Sequence, residues 1–131
     1  MEKILIVEDE ALIREELYTL LTGAGYLAVC VTDFENTLSL IRAEDPDLIL
    51  LDISLPGQSG YSLCAGIRAF SDVPVLFLTG RTAAMDELEA LTLGGDDYIT
   101  KPFHVPILLA RMNRLLKRSA GAKKPESLSY R

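Results

Sequence analysis

Short apolar runs alternate along this chain with longer segments whose apolar residues recur at helical spacing. Lys3–Val7 reads as a strand and is closed by Glu8-Asp9-Glu10. Ile13, Leu17, Leu20 and Leu21 then share a helical face until Gly23 and Gly25 stop the helix. Leu27–Val31 predicts a second strand, and residues 34–43 a second helix. Asp45-Pro46 breaks the chain before a third strand, residues 47–51, which runs on into Asp52. Leu48, Ile49, Leu50 and Leu51 show no polar alternation, the pattern of a strand covered on both faces. Pro56-Gly57 marks a turn, residues 61–69 a third helix, and residues 75–78 a fourth strand ending at Thr79-Gly80. A fourth helix is expected over 83–93, stopped by Gly94-Gly95. A short fifth strand follows over 98–100, then Lys101-Pro102 and a last helix from about 104 to 117.

Strands alternating with helices in this way predict an α/β fold. Right-handed crossovers would lay the five strands in a doubly wound parallel sheet with helices on both faces. The flavodoxin-like order 2-1-3-4-5 is the natural arrangement, and such sheets bind ligands at the carboxyl ends of strands, beside the point where the order reverses. That point falls between the first and third strands, next to Glu8, Asp9 and Asp52. From Ser119 the composition shifts to Ser-Ala-Gly-Ala-Lys-Lys-Pro-Glu, which reads as a flexible linker. Residues 1–118 are therefore expected to form one domain, and 119–131 to lead toward a further domain outside this chain.

The length of 131 residues suits that single core. With 49% hydrophobic and 24% charged residues, the chain falls in the soluble globular class. No apolar run approaches the roughly 20 residues needed to span a bilayer, and the chain enters its first strand without a leader pattern, so a cytoplasmic location away from the membrane is expected. A net charge of −6 argues against nucleic-acid binding by this segment's own surface. Cys30 and Cys64 fit neither a metal-ligand spacing nor a CxxC pair; two reduced thiols are expected, with a disulfide as the alternative.

Three carboxylates at one sheet edge repel one another unless a cation or a raised pKa relieves them. Hard oxygen donors with open access suit Mg²⁺. Thr79 ends the fourth strand and Lys101 follows the fifth, so a hydroxyl and an ammonium are expected at the same edge. Acceptor carboxylate, cation, ammonium and hydroxyl are the parts that stabilise a phosphoryl group transferred to Asp52. A glycine-rich phosphate cradle is disfavoured, because acidic side chains occupy the loop after the first strand.

The runs ILIVEDE (4–10), PDLILLD (46–52), LPGxxG (55–60), VLFLT (75–79) and DDYITKPF (96–103) resemble, in order and spacing, the motifs of response-regulator receivers over about residues 3–118. That resemblance implies that Asp52 accepts a phosphoryl group from a sensor histidine kinase. It also implies that Asp9, Asp52 and the backbone carbonyl of Ser54 hold Mg²⁺, with Glu8 assisting through water. Lys101 would pair with Asp52 before a cis bond to Pro102, Thr79 would move to the phosphoryl oxygen, and Tyr98 would rotate inward. On this reading the chain is a switch, not an enzyme, and catalyses only its own Mg²⁺-dependent phosphorylation and dephosphorylation. A stand-alone chemotaxis-type receiver is one alternative. A dehalogenase-type phosphatase is another, but it requires an Asp where Ser54 stands. His104, at a helix start, is expected to be a surface or capping residue.

Asp96-Asp97-Tyr98 and the Leu108–Arg118 region resemble the OmpR/PhoB subclass, in which a winged-helix domain supplies DNA binding. That subclass pairs as a homodimer through the fourth helix, fifth strand and fifth helix, using salt bridges. Asp97 and Arg111 retain one bridge, whereas Glu87 and Ile107 stand where a base and an acid are usual, and Thr92 and Asn113 where an acid and a base are usual. Pairs altered on both sides suggest a re-specified, more apolar interface that includes Ile107. Ile107→Glu is expected to leave the protein monomeric in the presence of a phosphate mimic, as read by light scattering; unchanged dimerisation would contradict this interface.

Overall fold

The computed structural model describes residues 1–80 and 96–128, with Thr79 and 119–128 as backbone. The elements run β1 (Lys3–Val7), α1 (Ala11–Gly23), β2 (Leu27–Val31), α2 (Thr37–Glu44), β3 (Leu48–Asp52), β4 (Ser54–Leu55), β5 (Gln58–Ser59), α3 (Gly60–Arg68), β6 (Val75–Thr79), β7 (Asp97–Thr100) and α4 (Val105–Leu128). The helix expected over 83–93, with Glu87 and Thr92, lies outside the described residues. The large sheet has the order β2-β1-β3-β6-β7 with every pairing parallel, which is the expected flavodoxin-like order.

The unbroken apolar run of β3 separates by alternate residues into two cores. Ile49 and Leu51 join Leu5, Val7, Val75 and Phe77 beneath α2 and α3, where Ile41, Leu63 and Ile67 close the layer. Leu48 and Leu50 join Ile4, Ile6, Leu76 and Leu78 on the other face, against Leu17 and Leu21 of α1 and Leu108, Met112 and Leu115 of α4. Each buried Leu or Ile contributes about 1.5–3 kcal/mol of transfer free energy. A central strand buried on both faces is thus the firmest mount in the molecule for the residue at its end.

The elements depart from expectation in three places. α2 starts at Thr37 instead of 34, because Asp33 accepts from the amide of Glu35 (3.2 Å) and from Asn36 Nδ2 (2.8 Å) and holds a turn there. Pro56-Gly57 is the tip of a small hairpin pairing Ser54 with Ser59 and Leu55 with Gln58, with Gly57 at φ 74°. In the third, the backbone of α4 stays helical to Leu128, past the helix end expected near 117. Ala120, Ala122, Lys123 and Lys124 favour helix, whereas Gly121 and Pro125 in the same stretch disfavour it.

α2 ends where Asp45 adopts the left-handed conformation, φ 46°, ahead of Pro46. α3 is capped by Ser59, whose hydroxyl accepts from the amide of Ser62 at 3.1 Å. Cys30 and Cys64 are both free thiols, Cys64 buried and Cys30 partly so. Among the described residues no helix is long and apolar enough to cross a membrane.

Gly60 opens α3 directly against the end of β3. Its amide donates to Ile53 O at 2.6 Å, and a Cβ there would overlap the carbonyl oxygen of Asp52 and stand 2.8 Å from Ile53 Cα. These neighbours are backbone and have little room to yield. Gly60→Ala is expected to destabilise the fold by about 2–4 kcal/mol, measured by urea unfolding.

Candidate functional site

Register alone brings two acids together. β1 pairs with β3 so that Val7 lies opposite Leu51, and the next residue on each strand is Glu8 or Asp52. Glu8 is fully buried and Asp52 is 5% exposed, while Asp9 lies in the open at the mouth. Carboxylate oxygens of Glu8, Asp9 and Asp52 all lie within 4.8 Å of one another. The geometry thus gathers the acidic trio expected from the sequence.

Lys101 enters from the far side of the sheet, just after β7. Its ammonium sits 2.6 Å from Glu8 Oε1, 3.4 Å from Asp52 Oδ1 and 3.9 Å from Glu10 Oε1. The Lys101–Pro102 peptide bond is cis, as the resemblance implied. The lysine lies closer to Glu8 than to Asp52, so Glu8 is its principal partner here. Glu8 Oε2 accepts from the amide of Glu10 at 3.2 Å, which ties the buried carboxylate to the loop after β1. Asp52 Oδ1 accepts from the amide of Ser54 at 3.3 Å, so Ser54 is brought beside Asp52.

The electrostatics follow from this packing. Burial, a hydrogen bond with Glu8 and the charge of Glu8 push Asp52 up to about 7; Lys101 and the Ser54 amide only partly oppose them. Burial would lower Lys101, but its hydrogen bond to Glu8 and the charges of Asp52 and Glu8 hold it above the ordinary lysine value. One ammonium among three carboxylates leaves an excess of negative charge, and the donors are all hard oxygens. This arrangement fits a divalent cation such as Mg²⁺.

Thr79 ends β6 in register with Thr100, one residue past Leu78, the partner of Asp52. Tyr98 of β7 lies opposite Phe77 and packs, partly buried, against the core layer beneath α2 and α3. His104 is exposed, and its carbonyl accepts from the amides of Ile107 and Leu108 at the start of α4. Ile107 is 45% exposed. Arg111 reaches Asp97 Oδ1 at 2.9 Å within the chain, and Arg114 contacts the other oxygen of the same carboxylate. Glu87 lies outside the described residues.

Sequence reasoning missed several participants. Arg14 donates to the main-chain carbonyls of Glu8 and Asp9. Arg114 shares Asp97 with Arg111, and Asp96 is held by Arg68 (2.9 Å) and Arg118 (3.3 Å). The spacing of Arg111, Arg114 and Arg118 on one helical face was the available signal for the last group.

Folded Asp52 retains its proton to about pH 7, whereas an unfolded aspartate loses it near 4. Its contribution to stability is therefore complete below about pH 4 and is lost as the pH rises through about 7. Asp52→Asn removes that dependence. In EDTA at pH 8 the variant is expected to be about 1–3 kcal/mol more stable than the parent, with the gain fading as the pH falls toward 4, as read by urea unfolding at several pH values.

A family model described as the response regulator receiver domain matches residues 4–113. The chain is 43% identical over 121 residues to the transcriptional regulatory protein YxdJ of Bacillus subtilis, covering 92% of this chain and 53% of that protein. It is 43% identical over 120 residues to the two-component response regulator PhoP of Pseudomonas aeruginosa, covering 91% and 53%. The chain thus spans about half the length of these curated relatives, which are transcriptional regulators of the OmpR/PhoB type. Among solved structures, the N-terminal domain of the nisin resistance regulator NsrR matches with a TM-score of 0.82 at 39% identity, over 88% of this chain and 98% of that one. The BeF3-activated N-terminal receiver domain of Klebsiella pneumoniae RstA matches at 0.83 and 33% identity, over 87% and 97%. The order of the strands, the acids at their ends and these likenesses agree: the chain belongs to the response-regulator receiver family.

Proposed function

We propose that this chain is the phosphorylation switch of a two-component transcriptional regulator, with Asp52 as the acceptor. The observation that carries this reading is the convergence of Glu8, Asp9 and Asp52 within 4.8 Å, with Lys101 bridging Glu8 and Asp52. The phosphoryl donor is the phosphohistidine of a cytoplasmic sensor kinase. An Asp52 oxygen forms the new P–O bond as the histidine P–N bond breaks, and the imidazole leaves with the electron pair.

Asp52 must be ionised to attack, and its raised pKa marks the work its surroundings have to do. Lys101 favours the ionised form and stands ready to meet the incoming phosphoryl oxygens. Asp9, Asp52 and the Ser54 carbonyl would hold Mg²⁺, with Glu8 acting through water. When bound, the cation supplies positive charge against the carboxylates and the phosphoryl group. The remaining readout follows the family: Thr79 turns its hydroxyl to the phosphoryl group, and Tyr98 follows it inward. The face formed by β7, α4 and the helix expected over 83–93 then pairs with a second copy.

In that pairing Asp97 and Arg111 exchange their intrachain contact for one across the two-fold axis, and Ile107 supplies apolar area. DNA is bound by a further domain and not by this acidic one. Turnover of an external phosphomonoester is not part of the function, because Ser54 occupies the place where a phosphatase of the dehalogenase type carries its acid.

Incubation with acetyl phosphate and Mg²⁺ is expected to add one phosphoryl group, read by intact mass. The gain should vanish in Asp52→Asn and form about a hundredfold more slowly in Lys101→Ala. No gain in the parent chain would overturn the proposal.

A further inference from the structure

The acidic loop after β1 carries Asp9 with little to hold it. Asp9 is exposed, and the preceding turn lacks an ordinary helix cap: Glu10 occupies the N-cap position of α1 without a side-chain hydrogen bond. Two contacts replace that cap. One is the Glu8 carboxylate on the Glu10 amide, 3.2 Å. The other is Arg14, one turn into α1, whose Nη1 reaches back to the carbonyl of Glu8 at 3.0 Å and toward that of Asp9 at 3.4 Å.

Arg14 is a cation beside an acidic cluster, yet it forms no ion pair among the described residues. Its charge is felt at Cys30 on β2, where it partly offsets the burial that pushes that thiol up. The guanidinium grips main chain, while Lys101 meets carboxylates. A rigid, planar donor on two successive carbonyls fixes the peptide that aims Asp9.

We propose that Arg14 is a positioning residue: by holding the Glu8 and Asp9 carbonyls it orients the Asp9 carboxylate for a divalent cation. This rests on reading Glu8, Asp9 and Asp52 as the cation site. Groups that orient ligands in this way commonly change metal affinity 10–100-fold when removed. The sign of the effect separates this role from a purely electrostatic one. Deleting a positive charge near a cation site strengthens cation binding, whereas loosening a ligand weakens it.

The test is a Mg²⁺ titration of the full chain, followed by amide NMR shifts, with thermal unfolding in EDTA as a control on folding. In Arg14→Ala the Mg²⁺ dissociation constant is expected to rise about tenfold, and Arg14→Lys, which keeps a donor, should restore part of the loss. Arg14→Met keeps the packing of the stem and decides the question should the alanine variant unfold. Unchanged or tighter Mg²⁺ binding in the alanine or methionine variant, beside normal binding by the parent, would overturn the positioning role alone. Absence of any Mg²⁺ response in the parent would overturn the cation site and this inference with it.

Discussion

Parallel pairing of β1 with β3 is the constraint on which the rest of the site depends. Both strands are buried on both faces, so their register is set by apolar contacts in two separate core layers. A slip of one residue would turn every core side chain to the opposite layer. That rigidity lets the sheet hold Glu8 and Asp52 side by side at its carboxyl edge despite their repulsion. The cores supply the free energy, and the charged edge draws on it.

Lys101 makes the juxtaposition tolerable. It joins Glu8 to Asp52 and links the β1–β3 pair to the far strand β7. Compensation by one cation is incomplete, and Asp52 shows the residue of that imbalance in its raised pKa. A fully neutralised cluster would have no use for a bound cation, and an uncompensated one would strain the fold. The geometry sits between these limits: the cluster is held together, and its remaining negative charge leaves a place for a cation.

The strands and the central chemistry were legible in the sequence because both rest on local signals. Leu48 to Leu51 announced a doubly covered strand, and Glu8, Asp9, Asp52 and Lys101 stood at predicted strand ends. What escaped notice depends on contacts that local patterning does not encode. Arg14 looks like an ordinary helix residue until its side chain is seen folded back on the loop. The turn from Asp33 to Asn36 displaced the start of α2, since side-chain oxygens competed with the helix for backbone donors. The backbone of α4 continues past Ser119 through Gly121 and Pro125, whose local preference runs against helix, so composition there pointed to a helix end that the backbone does not show.

Glu8, Asp52 and Lys101 come from the ends of three strands widely separated along the chain, and two of those strands are joined only through the third and β6. The constellation therefore has no partial form. A chain emerging from the ribosome displays Asp52 well before Lys101 has been synthesised, and an unfinished sheet offers a carboxylate without its lysine. Assembly of the charge-compensated cluster is in this sense a report on completed folding.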